Sequence, residues 1–207
     1  MTRLPVRRMI HEEVFASRPD FKPFDGPSPY NYRRIRRVDD ETFYDLVLIS
    51  SSQKHRLFDV GVITGFFPWW HGNGEMQLGV TLPILCGRTT MADIVYEHDG
   101  SEAGARAALG VIAADLAGTA EPWFEGRTRY ALGHPLIRLG LEWIRSHPES
   151  KAAKDGLRYD ESVRDELSLV LRRRARELDL APDIKKDISL LCYNLLAFAS
   201  EVDGRFT

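Results

Sequence analysis

Apolar residues recur along this chain with two different periods, and the change of period divides it. Over residues 4–17, Leu4, Ile10, Val14 and Phe15 share one side of a helix, while Arg7, Arg8, Glu12 and Glu13 fall elsewhere. Arg18-Pro19-Asp20 ends that helix, because a proline disfavours helical backbone in the residue before it. Three prolines and a glycine between Phe21 and Pro29 predict a loop. From Tyr30 to about Tyr96 the period is two. Met76, Leu78, Val80 and Leu82 alternate with Glu75, Gln77, Gly79 and Thr81. Phe58, Val60, Val62 and Phe66 alternate with Asp59, Gly61 and Gly65. Such alternation predicts strands with one face on a core and the other on water. Thr42–Ser52 is a third strand, continuously apolar at Leu46-Val47-Leu48-Ile49 and therefore central. Tyr30–Val38 is a fourth, and Ala92–Tyr96 a short fifth. Arg33, Arg34, Arg36 and Arg37 fall two on each face of the fourth strand, which suits a charged sheet edge.

After Ser101, a residue type that caps helix N-termini, the pattern is helical to the end. Residues 102–118 carry a small-residue face (Ala103, Ala107, Gly110, Ala114) that permits close approach. They also carry a larger stripe of Leu109, Ile112 and Leu116, and Pro122 is expected to break the helix. Further helices are predicted over 135–146, with Leu136, Ile137, Leu139, Leu141, Trp143 and Ile144, over 161–178, with Val163, Leu167, Val170, Leu171 and Leu178 on one stripe, and over 183–202, with a polar linker at 147–159. Strands in one block and helices in another imply an α+β fold. The expectation is an antiparallel four- or five-stranded meander, preceded by a helix and followed by helices packed on one face. A parallel sheet needs a crossover helix between its strands, and there is no room for one between residues 30 and 96, which argues against a parallel sheet and the usual dinucleotide-binding fold. The expected domains are a core over 1–147 and a helical hairpin over 148–207.

Composition changes this picture little, but charge changes it more. The chain has 207 residues and a formal charge of −2. That excludes a uniformly basic nucleic-acid binder, but not a local patch. Residues 1–37 hold nine Arg/Lys against four Asp/Glu, and residues 38–100 hold three against nine. Such asymmetry can steer a partner, or it can be internal complementarity; the internal reading is favoured because neither block is a run of one sign. Cys86 and Cys192 are too far apart in sequence for a dense disulfide scaffold or a short-spaced zinc motif, so both are expected to be reduced and buried. Arg3, Arg7 and Arg8 have no apolar run behind them and nothing approaches a membrane span, so a cytoplasmic location without membrane attachment is expected.

The chemistry-bearing motifs are sparse. Gly72-Asn73-Gly74 starts like a phosphate loop, but position 77 is glutamine and a strand follows, so it reads as a hairpin turn. No two of the six histidines stand four residues apart, so no helix presents a metal-binding pair. Glu97-His98-Asp99 reads as a polar turn at a strand end, and no metal or cofactor is expected. Glu149-Ser150-Lys151 lies in the polar linker, out of context for a nuclease site. Arg172, Arg173, Arg174 and Arg176 spread around a helix and read as a solvated face; phosphate contact is the alternative. The most unusual segment is Phe66-Phe67-Pro68-Trp69-Trp70-His71. Either its tryptophans cover the open end of the sheet, or some are exposed and bind a partner. Trp123-Phe124 could complete either arrangement.

Phe21-Lys22, Tyr32-Arg33, the apolar strand running through Leu46 to Lys54, and Phe58-Asp59-Val60-Gly61-Val62 occur in the order found in a group of bacterial proteins classed as domains of unknown function. The chain resembles that group over residues 4–125. It departs at Asp20, where glycine is more usual, and residues 126–207 have no counterpart. Some proteins with this layout resemble immunity proteins of bacterial toxin systems. The lack of a catalytic constellation, the charge asymmetry and the Trp69-Trp70 segment point to a non-catalytic interaction protein, and the resemblance implies that it is immunity- or defence-associated, with another protein such as a toxin as its partner. The binding residues expected are Trp69, Trp70 and His71, with Arg33, Arg34, Arg36 and Arg37 as an electrostatic edge. One alternative is a small hydrolase or nucleic-acid-processing enzyme with Asp45, Asp59, His55 and His71 at strand ends. Another, less favoured, is nucleic-acid binding through the arginine clusters.

Overall fold

The structure, a computed structural model, describes residues 4–24, 28–39, 41–65, 78–90, 93–147, 154–155, 158–159 and 161–179. Trp69, Trp70 and His71, the Gly72-Asn73-Gly74 turn, Glu149-Ser150-Lys151, Cys192 and the helix expected over 183–202 lie outside the described residues. The chain divides into two compact units, Met1–Thr128 and Arg129–Thr207.

The first unit has the α+β architecture that the period change predicts. Helix α1 (Val6–Ile10) runs directly into a π-helical stretch (His11–Phe15). The sheet follows as β1 (Lys22–Pro23), β2 (Tyr30–Val38), β3 (Glu41–Ser52), β4 (Leu57–Gly65) and β5 (Leu78–Thr81), in meander order and antiparallel throughout. A short helix α2 (Leu82–Leu85) and strand β6 (Tyr96–Glu97), which pairs with the start of β4, complete it. β3 is central, as its unbroken apolar run requires. The hairpins are tight. Asp39 takes the left-handed conformation (φ 50°) between β2 and β3, and Arg56 does so (φ 54°) between β3 and β4.

Register fixes which side chains share a face. Tyr32, Val47, Val60 and Val62 lie on the inner face and are buried with Ile49 and Phe58. Onto this face pack Val6, Met9, Ile10, Val14 and Phe15 from the N-terminal helix, and Ala105, Leu109 and Ile112 from α3 (Glu102–Asp115). Each large apolar side chain withdrawn from water here contributes about 1.5–3 kcal/mol. Phe15 stacks on Tyr32 with ring centroids 3.6 Å apart. Ser101 caps α3, accepting the Gly104 N–H at 2.9 Å.

Four expectations need correction. The outer face is not simply wet: Tyr44, Leu46 and Ile63 form a second buried cluster there, with Phe24 and Leu48 against it. The continuous run at Leu46–Ile49 follows from this, because both faces of β3 are covered at its middle. The small residues Ala103, Ala107, Gly110 and Ala114 of α3 all face solvent. Turning the leucine–isoleucine stripe inward instead removes far more apolar area from water. Pro122 does not end the helix. Leu116–Ala120 forms a π turn in which the Glu121 N–H reaches the Leu116 carbonyl, and α4 (Glu121–Gly133) continues from it. Pro122 is then the second residue of a new α segment, where a missing N–H is tolerated and the wider preceding turn gives its ring room. Cys86 is half-buried against the core rather than fully enclosed.

The second unit holds α5 (Pro135–Ser146), a two-stranded pair of β7 (Lys154–Asp155) and β8 (Arg158–Tyr159), and α6 (Glu161–Glu177). Leu136, Leu141, Trp143 and Ile144 are buried on α5, and Leu167, Leu171 and Ala175 on α6, which are the faces that the sequence stripes mark. No described helix is long and apolar enough to cross a membrane.

Candidate functional site

The four arginines of β2 are divided by strand alternation, as expected, but the two pairs do different things. Arg34 and Arg36 share parity with Tyr32 and so point to the inner face. There they meet Asp45, which stands opposite Arg34 on β3 and opposite Thr64 on β4. Asp45 is fully buried. Arg34 donates to its Oδ2 through Nε (3.0 Å) and Nη2 (2.8 Å). Arg36 reaches Oδ2 through Nε and Oδ1 through Nη2 (2.9 Å), and the Thr64 hydroxyl donates to Oδ1 at 2.6 Å.

The network then leaves the sheet. Arg34 pairs with Glu121 of α4 (2.7 Å) and with Asp20 (3.2 Å), and its guanidinium lies 4.7 Å from the Phe21 ring centroid. Arg36 donates to the Thr128 hydroxyl at 2.8 Å and to the Phe124 carbonyl at 3.3 Å. Burial alone would make the Arg34 guanidinium easier to deprotonate. The hydrogen bonds and charges of Glu121 and Asp45 outweigh it and hold the group above its ordinary range. Five hydrogen bonds converge on the two oxygens of Asp45, which offer about four lone-pair sites. A carboxylate so occupied has no lone pair to abstract a proton from a substrate. The network therefore clamps the sheet to α4, and the internal reading of the charge asymmetry applies to this arginine pair.

Arg33 and Arg37 point to the outer face. Arg33 lies 5.5 Å from the Phe24 ring centroid and 6.0 Å from that of Tyr44. Arg37 is exposed, and between the two stands Ile35, 50% exposed. β1 pairs with β2 at Tyr32 and Arg33, so the outer strip from Ile35 to Arg37 lies beyond β1, along the margin of the described sheet.

The alternative catalytic group is not assembled from its described members. Thr64 marks the level of Asp45 on β4, and Asp59 is five residues away, about 17 Å along a strand at ~3.4 Å per residue. Asp59 also has opposite parity and is exposed, while His55 sits exposed in the β3–β4 turn. Among the described residues no cluster of three His, Cys, Asp or Glu side chains could hold a metal ion. In the Glu97-His98-Asp99 turn, the His98 ring lies 5.3 Å from Phe58, and its Nδ1 accepts the Gly100 N–H at 3.1 Å. Burial pushes the His98 imidazole below its ordinary value, which Asp99 opposes and Arg56 reinforces.

In the second unit, Arg173, Arg174 and Arg176 are exposed on α6, and Arg172 donates to the Ser168 hydroxyl at 3.0 Å. A groove of about 570 Å³ between α5 and α6 includes Arg138, Arg173 and Arg174. Glu142 and Glu177 line it too, so it presents mixed charge. Phe124 is buried in the first unit's core, with Trp123 partly buried beside it.

What sequence reasoning missed is the pairing of Asp45 with Arg34 and Arg36. A signal existed: an acid on β3 and two bases on β2 all have the parity of core positions. Searches of family models, curated proteins and solved structures return no match to this chain.

Proposed function

We propose that this chain is a non-catalytic interaction protein, of the bacterial immunity or defence-associated kind, that binds another protein in the cytoplasm. The observation that carries the reading is the outer margin of β2, where the half-exposed Ile35 stands between the side chains of Arg33 and Arg37 on one face. An apolar residue flanked by cations at a sheet margin suits a partner with an acidic rim around an apolar contact. β4 ends at Gly65, and the aromatic segment Phe66–His71 follows it directly in the sequence, so Trp69 and Trp70 belong to the same proposal. The saturation of Asp45 supports a structural role for the one buried acid that a catalytic reading would use.

A photo-crosslinking residue at position 35 tests this in the native host. The expected result is one discrete protein adduct. It should be lost on Arg37→Glu and on the Trp69→Ala/Trp70→Ala double change, with circular dichroism and melting unchanged. No adduct, or an adduct indifferent to these changes, overturns the proposal. Loss of fold in the tryptophan variant alone would assign those two residues to packing and leave Arg37→Glu to decide.

A further inference from the structure

Away from the outer strip, the start of β2 borders a cleft of about 300 Å³, walled by Pro23, Phe24, Pro29 and Tyr30 and reached by Arg7 and Tyr32. Its rim is held in place. The Asn31 side chain accepts the Ser28 N–H (3.1 Å) and donates to the Ser28 carbonyl (2.6 Å), while the Ser28 hydroxyl donates to the Ile49 carbonyl (2.7 Å). Two polar groups in the cleft remain uncommitted. Arg7 is exposed and has no carboxylate partner among the described residues; its guanidinium lies 5.9 Å from the Tyr30 ring centroid. Arg8, its neighbour, is by contrast paired with Glu12. Tyr32 is 5% exposed, and its hydroxyl has no hydrogen-bond partner among the described residues. Tyr32 lines the cleft, its phenol within reach of the Arg7 charge, and the stack on Phe15 limits the freedom of its ring. Burial raises the Tyr32 phenol above its ordinary value and the Arg7 charge opposes this, so the phenol stays protonated and can donate.

We propose that this cleft binds a small carboxylate with a flat apolar body, its oxygens shared between the Arg7 guanidinium and the Tyr32 hydroxyl and its body against Tyr30 and Phe24. One cation and one phenol match a single negative charge with two acceptor oxygens. A dianionic phosphate would leave one charge unbalanced. The volume is at the lower end of ligand clefts, which limits the occupant to a small molecule. Ligation at Arg7 engages different side chains from the outer strip of Ile35 and Arg37, so this inference does not depend on the protein-binding reading.

The probes are benzoate, benzamide and inorganic phosphate, titrated into the full chain and followed by calorimetry and by the Arg7 Nε–H NMR signal. Benzoate is expected to saturate with a Kd of about 1 mM or tighter. Benzamide should bind at least about tenfold more weakly, as the loss of one charge-assisted contact requires, and phosphate should also bind at least about tenfold more weakly, because it has no flat apolar body to set against Tyr30 and Phe24 and brings an unbalanced charge. Arg7→Met should remove benzoate binding, and Tyr32→Phe, which keeps the ring stack, should weaken it several-fold. Equal binding of benzoate and benzamide, equal binding of phosphate, an unaffected Arg7→Met variant or no saturable binding of benzoate each overturns the proposal.

Discussion

Two arginine–carboxylate networks tie distant parts of the first unit together, and they differ chiefly in burial. Around Asp45, which is fully buried, Arg34 and Arg36 keep 13% and 19% of their side-chain surface. On the surface, Arg106 of α3 joins Glu13 (2.6 Å) and Glu12 (2.9 Å) of the N-terminal helix to Glu102 (3.0 Å). Its carboxylates are one-third to one-half exposed. Both guanidinia, Arg34 and Arg106, are held above their ordinary range by the hydrogen bonds of their acids. The geometry is thus similar and the surroundings are not. In water the surface set exchanges one solvated arrangement for another, so its net effect is small. In the interior each charge has given up its hydration, so removing one partner strands the rest. The comparison teaches that ion pairs seen in a structure must be weighed by what happens when one member is lost.

Asp45→Asn should break the comparison most strongly. It keeps the shape of the side chain but leaves Arg34 and Arg36 without their buried counter-charge. The expected loss is about 3–5 kcal/mol in urea unfolding, enough to unfold a marginal domain. A loss no larger than that of a surface variant would show that Glu121 and Asp20 take over both guanidinia.

Arg106→Met sharpens the comparison from the other side. Its effect on the melting temperature should be a small fraction of the Asp45 effect, and should vanish in 1 M salt, where the screening length falls to about 3 Å. The Asp45→Asn loss should persist at that salt. An Arg106 effect that survives salt would mean that its directional hydrogen bonds to Glu12, Glu13 and Glu102 matter more than the screened attraction of the charges.

The smallest effect concerns pH. Burial against Phe58 depresses His98, so the folded state prefers the neutral imidazole more than the unfolded chain does. His134, at the N-terminus of α5, is depressed by burial as well, with its Nδ1 enclosed and unpartnered. The stability from this preference is therefore present above the unfolded value of about 6.5 and is lost as pH falls through the lower folded value. Melting temperature should drop modestly between pH 7 and pH 5. The slope should flatten in His98→Gln, while Arg106→Met leaves it unchanged.

Much of the first unit was legible in its residues. Phe58, Val60 and Val62 announce their inner face by alternation, and the four-residue run at Leu46 announces the central strand. The stripes on α5 and α6 are equally plain. The candidate site was legible only in part. The arginines of β2 stand out in the sequence, and alternation divides them into pairs. Which pair would turn inward depended on where Asp45 stood, and that is a matter of register between strands. Ala103 and Gly110 looked like a packing face because small residues permit contact, but permission supplies no driving force when a leucine stripe competes for the same core.

By itself, then, the sequence determined the order of elements, the antiparallel meander and the apolar stripe of most helices. These depend on local periods of two and 3.6 residues and on turn residues such as Asp39, all encoded over short stretches. Only the tertiary structure decided that Arg34 and Arg36 close on Asp45, that the outer face of β3 is covered, that α3 and α4 continue through Pro122, and that Arg7 and Tyr32 meet at one cleft. Each of these joins residues whose proximity or environment is set by strand register or by helix-on-sheet packing, and no local pattern specifies either.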